Sequence, residues 1–220
     1  MDMNKQLRQP ASQERMVRQQ LIERGIDHPR VLEAMRSIPR SVFFPANLRD
    51  QACADRAAPI GHGQTISQPY IVGLMTQCLE IEATSKVLEI GTGSGYHTAI
   101  LAKLAYEVYS IERVKPLLDE AFERLYSLNL RNVHFKYGDG LRGWQEFVPF
   151  DRILIAAGAP SLPRSLLLSQ LADGGLAVLP VGPQDEQMLV QVRRKGDRLE
   201  STNLCPCRFV KLIGEGAWQE

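Results

Sequence analysis

The stretch Lys86-Val87-Leu88-Glu89-Ile90-Gly91-Thr92-Gly93-Ser94-Gly95-Tyr96 decides the fold. A short, mostly apolar run ends in three glycines at alternate positions, and residues Tyr96 to Leu104 continue as a helix. A strand that feeds through a glycine turn into a helix opens a β-α-β unit. The alternation continues downstream. Glu107 to Ile111 is a second strand, and a helix at about 114–128 turns Leu117, Leu118, Ala121 and Leu125 inward. Val133 to Tyr137 is a third strand and Arg152 to Ala156 a fourth, followed by a helix near 163–172 and a strand at Leu176 to Leu179. This order predicts an α/β fold, a doubly wound, Rossmann-like parallel sheet. Met188 to Arg193 and Leu199 to Cys205, joined by the turn Arg193-Arg194-Lys195-Gly196-Asp197, predict a C-terminal antiparallel hairpin.

Upstream, Ser12 precedes an amphipathic run with Met16, Val17, Leu21 and Ile22 on one face, closed by Gly25. Asp27-His28-Pro29 starts a second helix, with Val31, Leu32 and Met35 as its buried stripe. Pro39 and Pro45 bracket the apolar cluster Val42-Phe43-Phe44. Residues 51–68 are rich in loop formers and lead to a helix beginning at about Pro69. The sequence therefore predicts one domain over 1–220, with a helical extension and active-site loop at 12–68 and the Rossmann-like core at 69–220.

Composition sets the outer bounds. The chain has 220 residues, 44% apolar and 23% charged, with a formal net charge of +1, enough apolar residues for a sizeable core. No apolar run approaches the roughly 20 residues of a membrane span, and the opening MDMNKQLRQPASQERMVRQQ contains no apolar core of a secretory signal. The expectation is a soluble, cytoplasmic monomer without membrane partners, and the balanced charge argues against nucleic acid as a partner. Cys53 and Cys78 stand alone, while Cys205 and Cys207 flank Pro206. That spacing supplies neither a zinc set nor a disulfide framework, so reduced, packed cysteines and no metal are expected.

The chemistry starts at the glycine turn. Such a turn exposes backbone N–H groups at a helix N-terminus, where an anionic group binds well. Glu112, directly after Ile111, is placed to reach ribose hydroxyls, and Gly138-Asp139-Gly140 follows the third strand, so that three loops bound one crevice. Dinucleotide sites take a third glycine three residues after the second, but here that position is Tyr96 and the spacing is Gly91-x-Gly93-x-Gly95 behind the acidic Glu89. This suits a nucleoside carrying an amino acid, its carboxylate at the helix end and its ammonium on the Glu89 side. S-adenosyl-L-methionine is such a ligand. After the fourth strand stands Ala156-Ala157-Gly158-Ala159-Pro160, without the Asn/Asp-Pro-Pro-aromatic set of base-amine methylases. No cysteine lies between 78 and 205 to serve cytosine carbon methylation. No general base is evident either. A carboxylate acceptor is already ionised at neutral pH, with a reference pKa of about 4, and needs alignment only. The residues thus lean toward O-methylation of an acid. A small-molecule methylase and a cofactor-binding module without turnover stay open at this point.

The blocks Gly61-His62-Gly63-Gln64-Thr65-Ile66-Ser67-Gln68-Pro69-Tyr70-Ile71-Val72 and Val87 to Tyr96 closely resemble the protein-L-isoaspartate O-methyltransferases. The likeness continues through Ile111-Glu112-Arg113, Gly138-Asp139-Gly140, Gly143-Trp144, Gly174-Gly175 and Arg208-Phe209-Val210. His97, where Gln is frequent, and Lys211, where Pro is common, depart from the pattern. The resemblance implies protein repair. A methyl passes from S-adenosyl-L-methionine to the α-carboxylate of L-isoaspartyl, or the β-carboxylate of D-aspartyl, residues in damaged, flexible proteins and peptides, and the product cofactor is S-adenosyl-L-homocysteine. The ester then collapses to a succinimide. It further implies that Ser67 is the active-site hydroxyl, orienting the acceptor rather than attacking it. Gln64, Thr65 and Ile66 would roof the cofactor, Glu112 would hold its ribose, and Asp139 with Gly140 would meet its adenine, beside Glu89, Gly91, Gly93 and Gly95 of the turn. His62 is expected to be a loop residue and Phe43-Phe44 core.

Overall fold

The structure, a computed structural model, describes residues 11–219. Residues 1–10, half of the opening read above for a secretory signal, and Glu220 lie outside it. The N-terminal helical run begins as α-helix, passes into a π-helical turn at Val17–Leu21 and a 3-10 turn at Ile22–Arg24, and stops at Gly25, whose φ of 87° is left-handed. The π turn is visible in Ile22 N–H, which reaches back to Val17 O. Helix α1 (Pro29–Ser37) starts on Pro29, whose fixed φ suits a first helical position. It buries Val31, Leu32 and Met35, each contributing roughly 1.5–3 kcal/mol of apolar transfer free energy. Two 3-10 turns, Arg40–Phe43 and Ala46–Gln51, follow the prolines, and Phe43 and Phe44 are core residues.

Where the sequence predicts only a loop, the structure has a small antiparallel hairpin, β1 (Ala58–Gly61) with β2 (Gln64–Ile66). Its turn passes through the exposed His62 at φ 52°. Helix α2 (Pro69–Cys78) leads into the main sheet. The remaining elements are β3 (Lys86–Ile90), α3 (Tyr96–Leu104), β4 (Glu107–Glu112), α4 (Lys115–Ser127), β5 (Val133–Tyr137), β6 (Phe150–Ile155), α5 (Arg164–Gln170), β7 (Leu171–Val181), β8 (Gln187–Lys195) and β9 (Arg198–Cys207). The predicted strand at 176–179 is the inner part of β7. Its first residues make an extra excursion through Gly174, and the register against β6 shifts there.

The seven strands lie in the order β5-β4-β3-β6-β7-β8-β9. Strands β3 to β7 pair in parallel, and β7, β8 and β9 pair antiparallel. The chain runs outward from β3 through β4 to β5, then returns to place β6 on the other side of β3. That reversal makes the carboxyl end of β3 the topological switch point, where a parallel sheet opens a crevice. Alternate residues of the inner strands feed two cores. Val87, Val108, Leu154 and Val178 pack with α1, α2, α3 and the N-terminal run, while Leu88, Tyr109, Ile153 and Ala177 pack with α5. The extension and the sheet thus share one apolar cluster on the first face.

Gly95 shows how the turn is locked to the layer beside it. Its φ is 87°, and a Cβ there would stand 2.7 Å from Leu125 Cδ1 and 3.0 Å from Ala121 Cβ. Left-handed backbone costs an L-residue about 1–2 kcal/mol, and overpacking about 1–3 kcal/mol more. Gly95→Ala is expected to lose about 2–5 kcal/mol of stability in urea unfolding, because Gly95 serves the contact between α3 and α4.

Candidate active site

A cavity of about 870 Å³, its open mouth included, lies at the switch point. Its floor is the end of β3 and the glycine turn, from Ile90 to Ser94. One wall is the β2 loop from Gln64 to Ser67, another the end of β4 at Ile111, Glu112 and Arg113, and a third the C-terminal segment Val210 to Ile213. The sequence pointed to the floor and the first two walls through local motifs. The third wall carries no motif of its own beyond Arg208-Phe209-Val210. Its place is set by long-range contacts, Gly158 N–H to Val210 O and Leu212 N–H to Gly158 O.

Glu112 is the acid that reaches the cavity. Its Oε2 accepts from Gly93 N–H at 2.8 Å and its Oε1 from Val114 N–H at 2.9 Å. A carboxylate offers about four acceptor sites, so each oxygen keeps capacity for a hydroxyl. Gly140 explains its own residue type, since a Cβ there would fall 2.2 Å from Ile90 Cγ2. Only the backbone fits between β3 and the loop after β5.

Three residues assigned to the cofactor take other places. Glu89 is fully buried beneath the turn and does not line the cavity. Its Oε2 accepts from Thr98 Oγ1 and from Ser110 Oγ, each at 2.6 Å, and Thr92 Oγ1 lies 2.6 Å from Ser110 Oγ. Burial, with a smaller contribution from the Glu112 charge, pushes the Glu89 carboxyl up to about 8 against the two hydroxyl donors. Gly95 packs on α4, as described above. The Asp139 carboxylate accepts from Leu141 N–H at 2.9 Å and Glu215 N–H at 3.1 Å, so it fastens the C-terminal segment to the loop rather than facing the cavity. Gly138 and Gly140 on either side of it do line the cavity. The remaining assigned residues, Gln64, Thr65, Ile66, Ser67, Gly91, Gly93 and Glu112, meet there.

Ser67 lies between β2 and α2. It does not cap that helix, whose N-cap residue is Gln68 and which has no side-chain cap. His97, on the first turn of α3, also lines the cavity. Thr76 Oγ1 donates its one proton to Val72 O at 2.7 Å, so the 2.9 Å contact between Thr76 Oγ1 and His97 Nε2 requires the proton on Nε2. Burial first, and the Arg40 charge second, push the His97 pKa down to about 3, so the ring is neutral. The four cysteines are unpaired, and burial raises every thiol. The described residues hold no cluster that could bind a metal, and none of their helices is long and apolar enough to cross a membrane.

The family described as protein-L-isoaspartate(D-aspartate) O-methyltransferase matches residues 11–217. The chain is 50% identical over 200 residues to the protein-L-isoaspartate O-methyltransferase of Dictyoglomus thermophilum, covering 91% of this chain and 90% of the relative. It is 52% identical over 207 residues to that of Syntrophus aciditrophicus, covering 93% and 94%. Among solved structures, a protein-L-isoaspartate O-methyltransferase superposes with a TM-score of 0.82 at 24% identity, covering 93% of this chain and 67% of the other. A Plasmodium falciparum protein solved with S-adenosyl-L-homocysteine gives 0.78 at 24% identity, covering 93% and 98%. The two superpositions carry the same fold.

The buried acid gives a pH-dependent test. Glu89 stays protonated in the folded protein up to about pH 8 but ionises near its ordinary 4.5 when unfolded. The unfolded state therefore releases a proton first, and native stability falls as pH rises through that window and levels off above it. Glu89→Gln cannot ionise. Its melting temperature should gain on that of the natural protein between pH 5 and pH 8, at about 2–4 °C per kcal/mol in a chain of this size. A gap that stays constant by calorimetry would mean that Glu89 ionises as an ordinary carboxylate.

Proposed function

The chain belongs to the protein-L-isoaspartate (D-aspartate) O-methyltransferase family, and we propose that this cavity performs that family's protein repair, on flexible segments of damaged proteins in the cytoplasm. The acceptor is the α-carboxylate of an L-isoaspartyl residue or the β-carboxylate of a D-aspartyl residue. The observation that carries the proposal is the meeting of the Gln64–Ser67 loop with the glycine turn and Glu112 around one cavity.

The residues fit S-adenosyl-L-methionine. Glu112, bound to Gly93 N–H of the turn that leads into the nine-residue helix α3, retains acceptor capacity for ribose hydroxyls, and the N-terminus of α3 suits an amino-acid carboxylate. Gly138 and Gly140 border the adenine end, and Gln64 to Ile66 cover the ligand. When bound, this cofactor supplies a methyl on a cationic sulfur, and its transfer to a carboxylate oxygen leaves a methyl ester and a neutral thioether. The chain's part is alignment and exclusion of water. Ser67 Oγ donates to one acceptor oxygen and leaves the other for the methyl. No base is needed, because the acceptor is already an anion, and the neutral His97 has its one proton committed to Thr76. Holding two reactants in line lowers a barrier by about 7–11 kcal/mol in favourable cases. Thr65 and Lys211, both exposed, stand on the cavity wall. An open wall of this kind suits a peptide chain better than an enclosed small molecule.

The decisive assay is transfer of labelled methyl to a short peptide containing L-isoaspartate, beside the same peptide with L-aspartate. Base-labile label on the first alone is expected. With cofactor binding intact and neither peptide labelled, the acceptor assignment would fall while the methylase fold stood. Ser67→Ala should cut kcat on the order of 10²-fold with little change in S-adenosyl-L-homocysteine affinity by calorimetry. Glu112→Gln should do the reverse, weakening the cofactor by roughly 10-fold or more, the value of one charge-assisted hydrogen bond.

A further inference from the structure

Arg40 is the largest fully buried side chain among the described residues, at 0% exposure. It stands at the start of the 3-10 turn after Pro39, in a segment with no sequence motif. Its Nε donates to Ala52 O at 2.8 Å and its Nη2 to Ser67 O at 2.5 Å. The guanidinium lies over the Tyr96 ring, 4.5 Å from its centroid, with the Phe44 ring at 5.4 Å. Its Nη1 is buried without a hydrogen-bond partner, and none of the described ion pairs includes it.

A guanidinium in this position is expensive. Burying a cation without a counter-ion costs several kcal/mol even after relaxation, and a well-packed apolar residue would fill the space at lower free energy. Burial lowers the Arg40 pKa from its usual range, with the Tyr96 hydroxyl opposing, yet a guanidinium stays charged at any physiological pH. Three of the groups it contacts say what the charge is used for. Ala52 belongs to the extension, Tyr96 opens helix α3 and lines the cavity, and Ser67 carries the active-site hydroxyl. The Ser67 residue otherwise hangs between a three-residue strand and Pro69, with little regular structure to fix its peptide plane.

We propose that Arg40 is the positioning residue for Ser67: its planar fork fixes the Ser67 carbonyl against Ala52 and the Tyr96 ring, and thereby sets where the Ser67 hydroxyl meets the acceptor. The proposal rests on the role given to Ser67 above. A lysine cannot replace the fork, because its ammonium is a compact point charge on a flexible stem, without a planar donor pair. A hydroxyl displaced by about 1 Å costs turnover on the order of 10²-fold.

A double-mutant cycle tests it, with Arg40→Lys, Arg40→Gln, Ser67→Ala and the paired variants. Turnover of an L-isoaspartyl peptide is read beside calorimetric affinity for S-adenosyl-L-homocysteine. Arg40→Lys should lower kcat by roughly 10–100-fold, with cofactor affinity held within about 2-fold. In the Ser67→Ala background the same change should cost no more than about 2–3-fold, since the group it positions is gone. Equal losses in both backgrounds, or a loss of cofactor affinity matching the loss of turnover, would overturn the proposal and leave Ser67 in place. An unaltered kcat in Ser67→Ala alone would remove the Ser67 role and this proposal with it. Should Arg40→Gln fail to fold, Arg40→Lys, which keeps the charge and the bulk, decides the matter alone.

Discussion

Two hydroxyls, Thr98 Oγ1 and Ser110 Oγ, each lie 2.6 Å from one oxygen of the buried Glu89 carboxyl, and a third, Thr92 Oγ1, lies 2.6 Å from Ser110 Oγ. These side chains come from β3, α3, β4 and the glycine turn, so a single buried acid ties together four elements that border the cavity. The proton count is consistent with a neutral acid. Its carbonyl oxygen accepts both donors, and the other oxygen, without a partner, carries the proton. Glu112, a short distance above, is the acid that the cavity presents. Burial keeps Glu89 neutral beneath the turn, while Glu112 lines the cavity above it.

Most of the fold was legible because its signals are local and repeated. Strands buried on both faces read as continuous apolar runs, and helices between them read by their period. The predicted spans of β3, α3 and β5 coincide with those observed. The hairpin β1–β2 was not legible. Its strands have four and three residues, and Ala58-Pro59-Ile60-Gly61 has neither alternation nor β-branched content beyond Ile60. The pairing is set by what packs beneath it, with Ile60 and Ile66 buried in the first core. The beginning of β7 was hidden for a related reason, since Ala172-Asp173-Gly174-Gly175 has turn composition and is drawn into the sheet by its neighbours.

The site divides along the same line. Residues that short motifs assign to a ligand, such as Gly91, Gly93, Glu112 and the Gln64–Ser67 block, line the cavity. Gly95, Glu89 and Asp139 belong to the same motifs yet serve the protein itself, one against α4, one beneath the turn and one on the backbone of Glu215. A motif fixes which residues must be present but not which of them touch the ligand, because support for a turn is as constrained as contact with one. Arg40 is the opposite case. It lies outside the glycine-turn and Gln64–Pro69 motifs, and its relation to Ser67 spans 27 positions, so only the folded chain brings the two together.

The charges around the cavity are arranged for an acceptor that arrives already ionised. Glu112 is the one acid on its lining, with one oxygen bound to the glycine turn at Gly93 N–H and the other to Val114 N–H. Arg40 stands behind Ser67, and Lys211 lies exposed on the C-terminal wall. His97, with its pKa pushed down to about 3 by burial, is a very weak base, and the thiols, raised by burial, hold their protons. Such a set can neither take a proton from a hydroxyl or amine acceptor nor attack carbon. It can attract a carboxylate, hold it by one hydroxyl and keep it in line with a cationic methyl donor. In the proposed arrangement the cost of burying Arg40 is then coupled to the reaction itself, because a transfer that needs no base depends on alignment alone, and Arg40 holds the Ser67 backbone in place.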